Sequence, residues 1–278
     1  METVWKEIDS AIKKGDHKQV ISLCDKLIQS SSSTKSSSTT TISSDAVADA
    51  IKCKVVAMIH LGSFEQALAL ILSSSVVQMR FEKAYCLYRL RRYREALDTL
   101  NDRSQPQQQE LTRRELTLRA QVCYRLDLHA DAMAAYSKLS STKGSKKDDE
   151  AEDNEENMEL KANTLAVAAE SRDLTSVRPL LTSSSSSSSF EMEFNSACAF
   201  ASVGEWTNAK AALSRCHSIQ DKAAAGEEGE QVDAEETAKV MTLEGFIAQM
   251  EGDRTAANQL YHRALKAVEG RSSSSSSS

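Results

Sequence analysis

The side chains best suited to chemistry gather in the middle of the chain. Arg89, Arg91, Arg92, Arg94, Arg113, Arg114 and Arg119 stand there with Tyr85, Tyr88 and Tyr93. A guanidinium can fork onto a carboxylate or a phosphate. A tyrosine ring can anchor a peptide or stack on a base. Two readings follow. In one, Arg91, Arg92 and Arg94 contact RNA directly. In the other, the arginines form a solvated face laced to Glu95, Asp98 and Glu115. Residues 80–125 hold 11 basic and 6 acidic side chains in a chain of net charge −6, so the excess is modest and local. That balance favours the second reading.

Catalytic groupings are absent from the sequence pattern. There is no phosphate-binding glycine loop, dinucleotide fingerprint, metalloprotease helix or nucleophile elbow. Cys216 and His217 are neighbours, so on a helix their side chains diverge by about 100° and pair poorly. Cys24, Cys53, Cys86, Cys123, Cys198 and Cys216 contain no Cys-x-x-Cys pair. They read as small buried hydrophobes in a reducing compartment. The expectation is a non-enzyme with no cofactor, no metal and no small-molecule substrate.

Composition narrows the scaffold. The 278 residues include 2 prolines, 9 glycines and only 5% aromatics. A β-sandwich or barrel needs more turns and more pleat-filling residues. With 40% apolar residues the chain can build a core. Met1 to Ile12 lacks an apolar run, and Glu2 and Glu7 are unlike an acid-poor transit peptide. No stretch reaches the roughly 18 apolar residues of a membrane span. A cytoplasmic protein with no membrane insertion is expected.

One grammar recurs seven times: a helix, a short turn, then a helix with a small residue at a fixed place. Val55–Leu68, Ala84–Leu97, Ala120–Met133, Ala197–Ala209 and Gly245–Ala257 show it. Numbered within a unit, position 8 reads Ile8, Val55, Ala84, Ala120, Leu165, Ala197 and Gly245. Position 20 reads Val20, Ala67, Ala96, Ala132, Val177, Ala209 and Ala257. Position 24 carries a larger apolar filler: Cys24, Ile71, Leu100, Tyr136, Leu181, Leu213 and Tyr261. The turns fall at 15, 62, 91, 127, 172, 204 and 252. Position 17, beside the turn, holds His17, Phe64, Tyr93, His129, Leu174 and Trp206 in the first six units, so the two histidines read as packing residues. Pro179 falls inside the second helix of the fifth unit and should end or kink it.

This pattern resembles the tetratricopeptide repeat (TPR), a helix-turn-helix unit of about 34 residues. The resemblance implies an all-α TPR superhelical solenoid of about seven repeats over residues 1–271. Low-complexity spacers near 30–44, 140–157, 182–189 and 223–236, and the serine tail 272–278, are expected to be disordered.

Two segments carry a closer likeness. Cys53–Ile71 (CKVVAMIHLGSFEQALALI) and Phe81–Leu100 (FEKAYCLYRLRRYREALDTL) resemble the N-terminal repeat region of the 72-kilodalton subunit of the signal recognition particle. That resemblance implies a scaffold that binds the 68-kilodalton subunit and supports targeting of ribosomes to the endoplasmic reticulum. It implies contact with the particle's RNA only indirectly, or through a lysine-rich segment that this sequence does not contain. Another TPR assembly scaffold is the alternative.

In such repeats, positions 2, 5, 9, 12 and 13 of the first helices line an inner groove. Here they include Lys52, Val56, Ile59, Phe81, Tyr85, Tyr88, Arg89, Arg114, Gln121, Tyr124 and Arg125. The expected surface is an aromatic floor edged by arginines, suited to a segment with apolar anchors and acidic residues. Chaperone-binding relatives clamp a terminal carboxylate with Lys at position 5 and Asn at position 9. The pairs here are Trp5/Asp9, Lys52/Val56, Phe81/Tyr85, Thr117/Gln121, Ala162/Ala166, Phe194/Cys198 and Thr242/Phe246, so that role is disfavoured.

Overall fold

The computed structural model describes residues 2–32, 43–74, 79–102, 110–141, 150–182, 189–225 and 233–274. Each stretch holds two helices: α1 (Glu2–Lys13) and α2 (His17–Ser32), α3 (Ser44–His60) and α4 (Phe64–Ser73), α5 (Arg80–Arg89) and α6 (Tyr93–Asn101), α7 (Arg113–Arg125) and α8 (His129–Ser141), α9 (Glu150–Ser171) and α10 (Arg178–Thr182), α11 (Phe190–Ser202) and α12 (Trp206–Ala224), α13 (Ala234–Met250) and α14 (Arg254–Ser274). Among the described residues there is no strand.

The turns explain why helices come in pairs. Gly15, Gly62, Arg91, Asp127, Arg172, Gly204 and Gly252 all have φ between 54° and 94°. These are the seven turn positions read from the sequence. A left-handed residue after a helix lets the following amide bond back to an otherwise orphaned carbonyl. Ser63 N donates to Met58 O at 2.9 Å, Arg92 N to Leu87 O at 2.9 Å, and Asp253 N to Ala248 O at 2.9 Å. Four of the seven are glycine, which tolerates this conformation. Arg91, Asp127 and Arg172 hold it with a side chain, at a cost of about 1 kcal/mol each. Arg172→Gly should therefore raise stability by about 0.5–1 kcal/mol in urea unfolding. No gain there would mean the residue's side chain offsets its strain.

The chain forms two compact units, residues 1–128 and 129–278. In the first, α1 to α7 pack in chain order, and α5 also meets α3 and α7. Ile8, Ala11, Val20, Leu23, Cys24 and Leu27 form one core there with Ala50 and Ala57. In the second, Leu165, Ala197, Phe200, Ala209, Leu213, Val240 and Ile247 belong to one core. Residues at position 8 and position 20 are buried throughout, and Ala67, Ala84, Ala96, Ala120, Ala132, Ala197 and Ala209 have no exposed surface. A larger side chain at these places would push neighbouring helices apart. His17 keeps to the packing role, stacked on His60 with ring centroids 4.5 Å apart.

Gly245 shows the same constraint in its tightest form. A Cβ there would lie 2.7 Å from the Tyr261 ring of α14. Gly245→Val should cost about 2 kcal/mol through overpacking, read as a lowered melting temperature. An unchanged melting temperature would mean that Tyr261 swings away freely.

Two features of the helices bear on the sequence reading. First, the spacers are helical at several edges: α2 runs to Ser32, α9 starts at Glu150, α12 runs to Ala224, α13 starts at Ala234, and α14 runs to Ser274. Once a helix is nucleated, each added residue costs little, and Glu and Ala are strong helix formers. Other edge serines serve as caps. Ser43 Oγ accepts from Ala46 N at 3.2 Å and Ser189 Oγ from Met192 N at 3.3 Å. The remainders of these spacers and of the tail lie outside the described residues. Second, Pro179 does not interrupt a long helix. The chain turns at Leu174–Val177, and the five-residue α10 begins at Arg178, placing Pro179 in its first turn where a missing amide proton costs nothing. Leu174 and Val177 stay buried, so the packing role of the second helix is kept without a full helix.

Candidate protein-binding face

Within the first unit, α3, α5 and α7 present the groove positions at i, i+4 and i+7 spacing, which puts each set on one helix face. On α5 these are Phe81, Tyr85 and Tyr88, all half-buried, with Arg89 exposed beside them. Phe81 and Tyr85 stack with centroids 6.0 Å apart, and Tyr85 meets Phe64 of α4 edge-on at 6.2 Å. The Arg89 guanidinium lies 4.4 Å over the Phe64 ring and 5.8 Å from the centre of Tyr85. It also donates to the Tyr85 hydroxyl at 2.8 Å. Arg114 of α7 sits 4.3 Å over Phe81. Tyr88 meets Tyr93 at 5.7 Å and takes a hydrogen bond from Arg125.

The arginines therefore do more than edge the floor. Arg89 and Arg114 lie over it, held by cation–π attraction worth about 0.5–1 kcal/mol at exposed sites. Their guanidinium edges remain available to a carboxylate. A cation already held in place loses less freedom when a partner binds. The rest of the expected set lies around this band. Lys52 is exposed and paired with Asp49 at 3.0 Å. Val56 is 40% exposed, and Ile59, Gln121 and Tyr124 are half-buried. Phe64 and Tyr93 also belong to this cluster of rings. Their turn-side position marks them as packing, and only the fold shows that they complete the band.

Behind the band is a buried ion pair. Arg80 donates to both carboxylate oxygens of Glu115, at 2.7 and 2.8 Å. Both side chains are nearly sealed from solvent, at 11% and 7% exposure. The Thr112 amide and hydroxyl each donate to the same carboxylate at 2.9 Å, closing a capping box at the start of α7. Burial acts to raise the Glu115 carboxyl, but the hydrogen bonds from Arg80 and Thr112 outweigh it and hold the group below the usual carboxylate range. Arg80 and Phe81 are chain neighbours, as are Arg114 and Glu115. The ion pair and the Phe81–Arg114 contact thus fix one helix spacing twice.

The proposed RNA-contacting arginines are more dispersed. Arg91 occupies the turn, Arg92 is held bidentately by Glu95 at 2.7 and 2.6 Å, and Arg94 is exposed on α6. Arg119 donates to Asn101 at 3.2 Å. Among the described residues no cluster of His, Cys, Asp and Glu could hold a metal ion, and no helix is long and apolar enough to cross a membrane. All six cysteines are free thiols.

The region that builds this face is also the region that matches a known family. Residues 35–167 fit the family described as a putative TPR-like repeat, and every groove residue named above falls inside that span. Beyond that span, the chain resembles signal recognition particle subunit SRP72 along nearly its whole length. It is 27% identical over 270 residues to signal recognition particle subunit SRP72 of Canis lupus familiaris, covering 95% of this chain and 36% of that protein. The same subunit of Dictyostelium discoideum is 25% identical over 271 residues, covering 96% of this chain and 36% of its own length. That of Schistosoma mansoni is 30% identical over 226 residues, covering 78% and 29%. The chain thus spans about a third of the length of these relatives. The seven-unit grammar, the buried small residues and this likeness describe one and the same stretch of chain.

Proposed function

We propose that this chain is a scaffold subunit of a signal recognition particle, acting in the cytoplasm without a cofactor or catalysis. Its first unit takes a segment of the 68-kilodalton subunit across α3, α5 and α7, and so supports delivery of ribosomes to the endoplasmic reticulum. The observation that carries this reading is the pre-positioned band of Arg89 and Arg114 over Phe64, Tyr85 and Phe81. Rings supply contact area with few rotors to freeze, and guanidinium edges select acidic residues beside the anchors. The likeness to SRP72 along nearly the whole chain supports the identity of the particle. The particle's RNA is reached indirectly in this reading, because part of the basic stretch is already committed to Glu95, Glu115 and Asn101.

The test is calorimetric titration of the chain with the C-terminal segment of the same organism's 68-kilodalton subunit. One-to-one binding with a negative heat-capacity change is expected, since apolar surface is buried. No heat from a chain with an intact helical spectrum would remove that partner and leave another assembly scaffold to be identified.

A further inference from the structure

The second unit carries an open groove of different chemistry. It encloses about 590 Å³ and is lined by Phe194 and Cys198 of α11, Thr242 and Phe246 of α13, and Tyr261 and Val268 of α14. Phe246 is 40% exposed and Val268 51%, so apolar surface faces water here rather than filling the core. Phe194 and Cys198 hold repeat positions 5 and 9 of their unit, as do Thr242 and Phe246. Phe81 and Tyr85 hold those positions in the first unit. The repeat thus presents the same face twice, with different side chains.

The floor is rigid. Tyr261 lies against the bare backbone of Gly245 and donates its hydroxyl proton to Gln249 at 3.0 Å. Phe246 meets Trp206 edge-on at 6.2 Å, and Phe194 stacks on Phe190 at 6.0 Å. Cys198 belongs to the apolar lining, since burial pushes its thiol up to about 11 and keeps it neutral.

Charge separates this groove from the first. Glu191 stands one turn before Phe194 on the same face of α11. Glu170 is close enough to act on Cys198, and Glu235 lines the groove itself. The cation in the lining, Lys239, is held by Glu235 at 2.9 Å. Residues 129–278 carry 25 acidic and 15 basic side chains. An acidic segment of the kind that suits Arg89 and Arg114 is repelled here, as is a nucleic acid.

We propose that the groove formed by α11, α13 and α14 docks a basic segment of a partner protein, seating a large apolar anchor between Phe194 and Phe246 with its lysines or arginines towards Glu170, Glu191 and Glu235. The complementary charge commits the site to that occupant, and the site works independently of the arginine band of the first unit.

The experiment uses the full chain and two synthetic amphipathic peptides with the same leucine and phenylalanine anchors. One carries lysine at every polar position and the other glutamate. Calorimetry should give saturable binding of the lysine peptide. Thr242→Arg, at a groove-lining position, should weaken it about tenfold or more, and Glu170→Lys with Glu191→Lys should do likewise. Phe246→Ala should weaken it by a similar factor, with the helical spectrum confirming that the variant is folded. Arg89→Glu should leave lysine-peptide binding unchanged. Equal affinity for both peptides, insensitivity to Thr242→Arg, or self-association of the chain that Thr242→Arg abolishes while neither peptide binds, would each overturn the proposal.

Discussion

Arg80→Ala should destabilise the first unit by about 3–5 kcal/mol, the range for removing one partner of a buried ion pair. The cause is what remains. Glu115 stays 7% exposed, keeps only the two Thr112 donors, and has no cation to balance its charge. A double replacement, Arg80→Met with Glu115→Leu, should cost far less, since no charge is then left buried. Urea unfolding at neutral pH measures both. The pH dependence gives a second handle. In the parent the Glu115 carboxyl is held low, so its contribution is complete above the unfolded carboxylate range near about 4.3 and fades as pH falls through the lower, folded value. In Arg80→Ala burial is left as the main influence and raises the carboxyl. Protonation then relieves the buried charge, and the gap between variant and parent should narrow as the medium becomes acidic. A gap that stays constant from about pH 7 to about pH 4 would show that the loss comes from packing of the arginine stem rather than from the charge.

The ion pair also illustrates what the sequence could and could not tell. Thr112-x-x-Glu115 is a visible capping signal, yet nothing local says that Arg80, 35 residues earlier, closes on the same carboxylate. The seven turns were legible because each needs one residue in a rare backbone conformation at a fixed phase, and glycine marks four of them. Small residues at positions 8 and 20 were legible because their size is set by the neighbouring helix alone. Faces were less so. Helix phase gave Phe81, Tyr85, Tyr88 and Arg89 one side of α5, but whether a ring lines a groove or fills a seam depends on the side chain opposite. Phe64 looked like packing and also forms the bed under Arg89. The second groove was hidden for the same reason. Phe194/Cys198 and Thr242/Phe246 stood at the groove positions, but the depth between them comes from Val268 and Tyr261 on a helix whose placement rests on Gly245. Serine composition says how poorly a segment folds alone, not how far a neighbouring helix extends into it.

On the proposed function, charge reversal at Arg89 and Arg125 together should weaken binding of the 68-kilodalton segment roughly 100-fold, about 2.7 kcal/mol. Each arginine touches the band differently. Arg89 covers Phe64 and Tyr85, so a glutamate there uncovers two rings and replaces a cation with an anion facing the partner's acidic residues. Arg125 stands beside the Tyr88 hydroxyl, so its reversal removes a cation from that side of the band and puts an anion there. Both arginines are exposed, and the cation–π attraction that Arg89 gives up is worth only about 0.5–1 kcal/mol per ring. The fold should survive, with a helical spectrum unchanged and a melting temperature lowered by only a few degrees. Added salt should weaken the parent complex more than the variant complex, because screening removes an attraction that the variant no longer has. Arg91→Glu with Arg94→Glu, away from the band, should leave the same titration nearly unaltered. If instead that pair weakens binding and the Arg89/Arg125 pair does not, the partner lies along α6, and the face across α3, α5 and α7 is not where the segment is held.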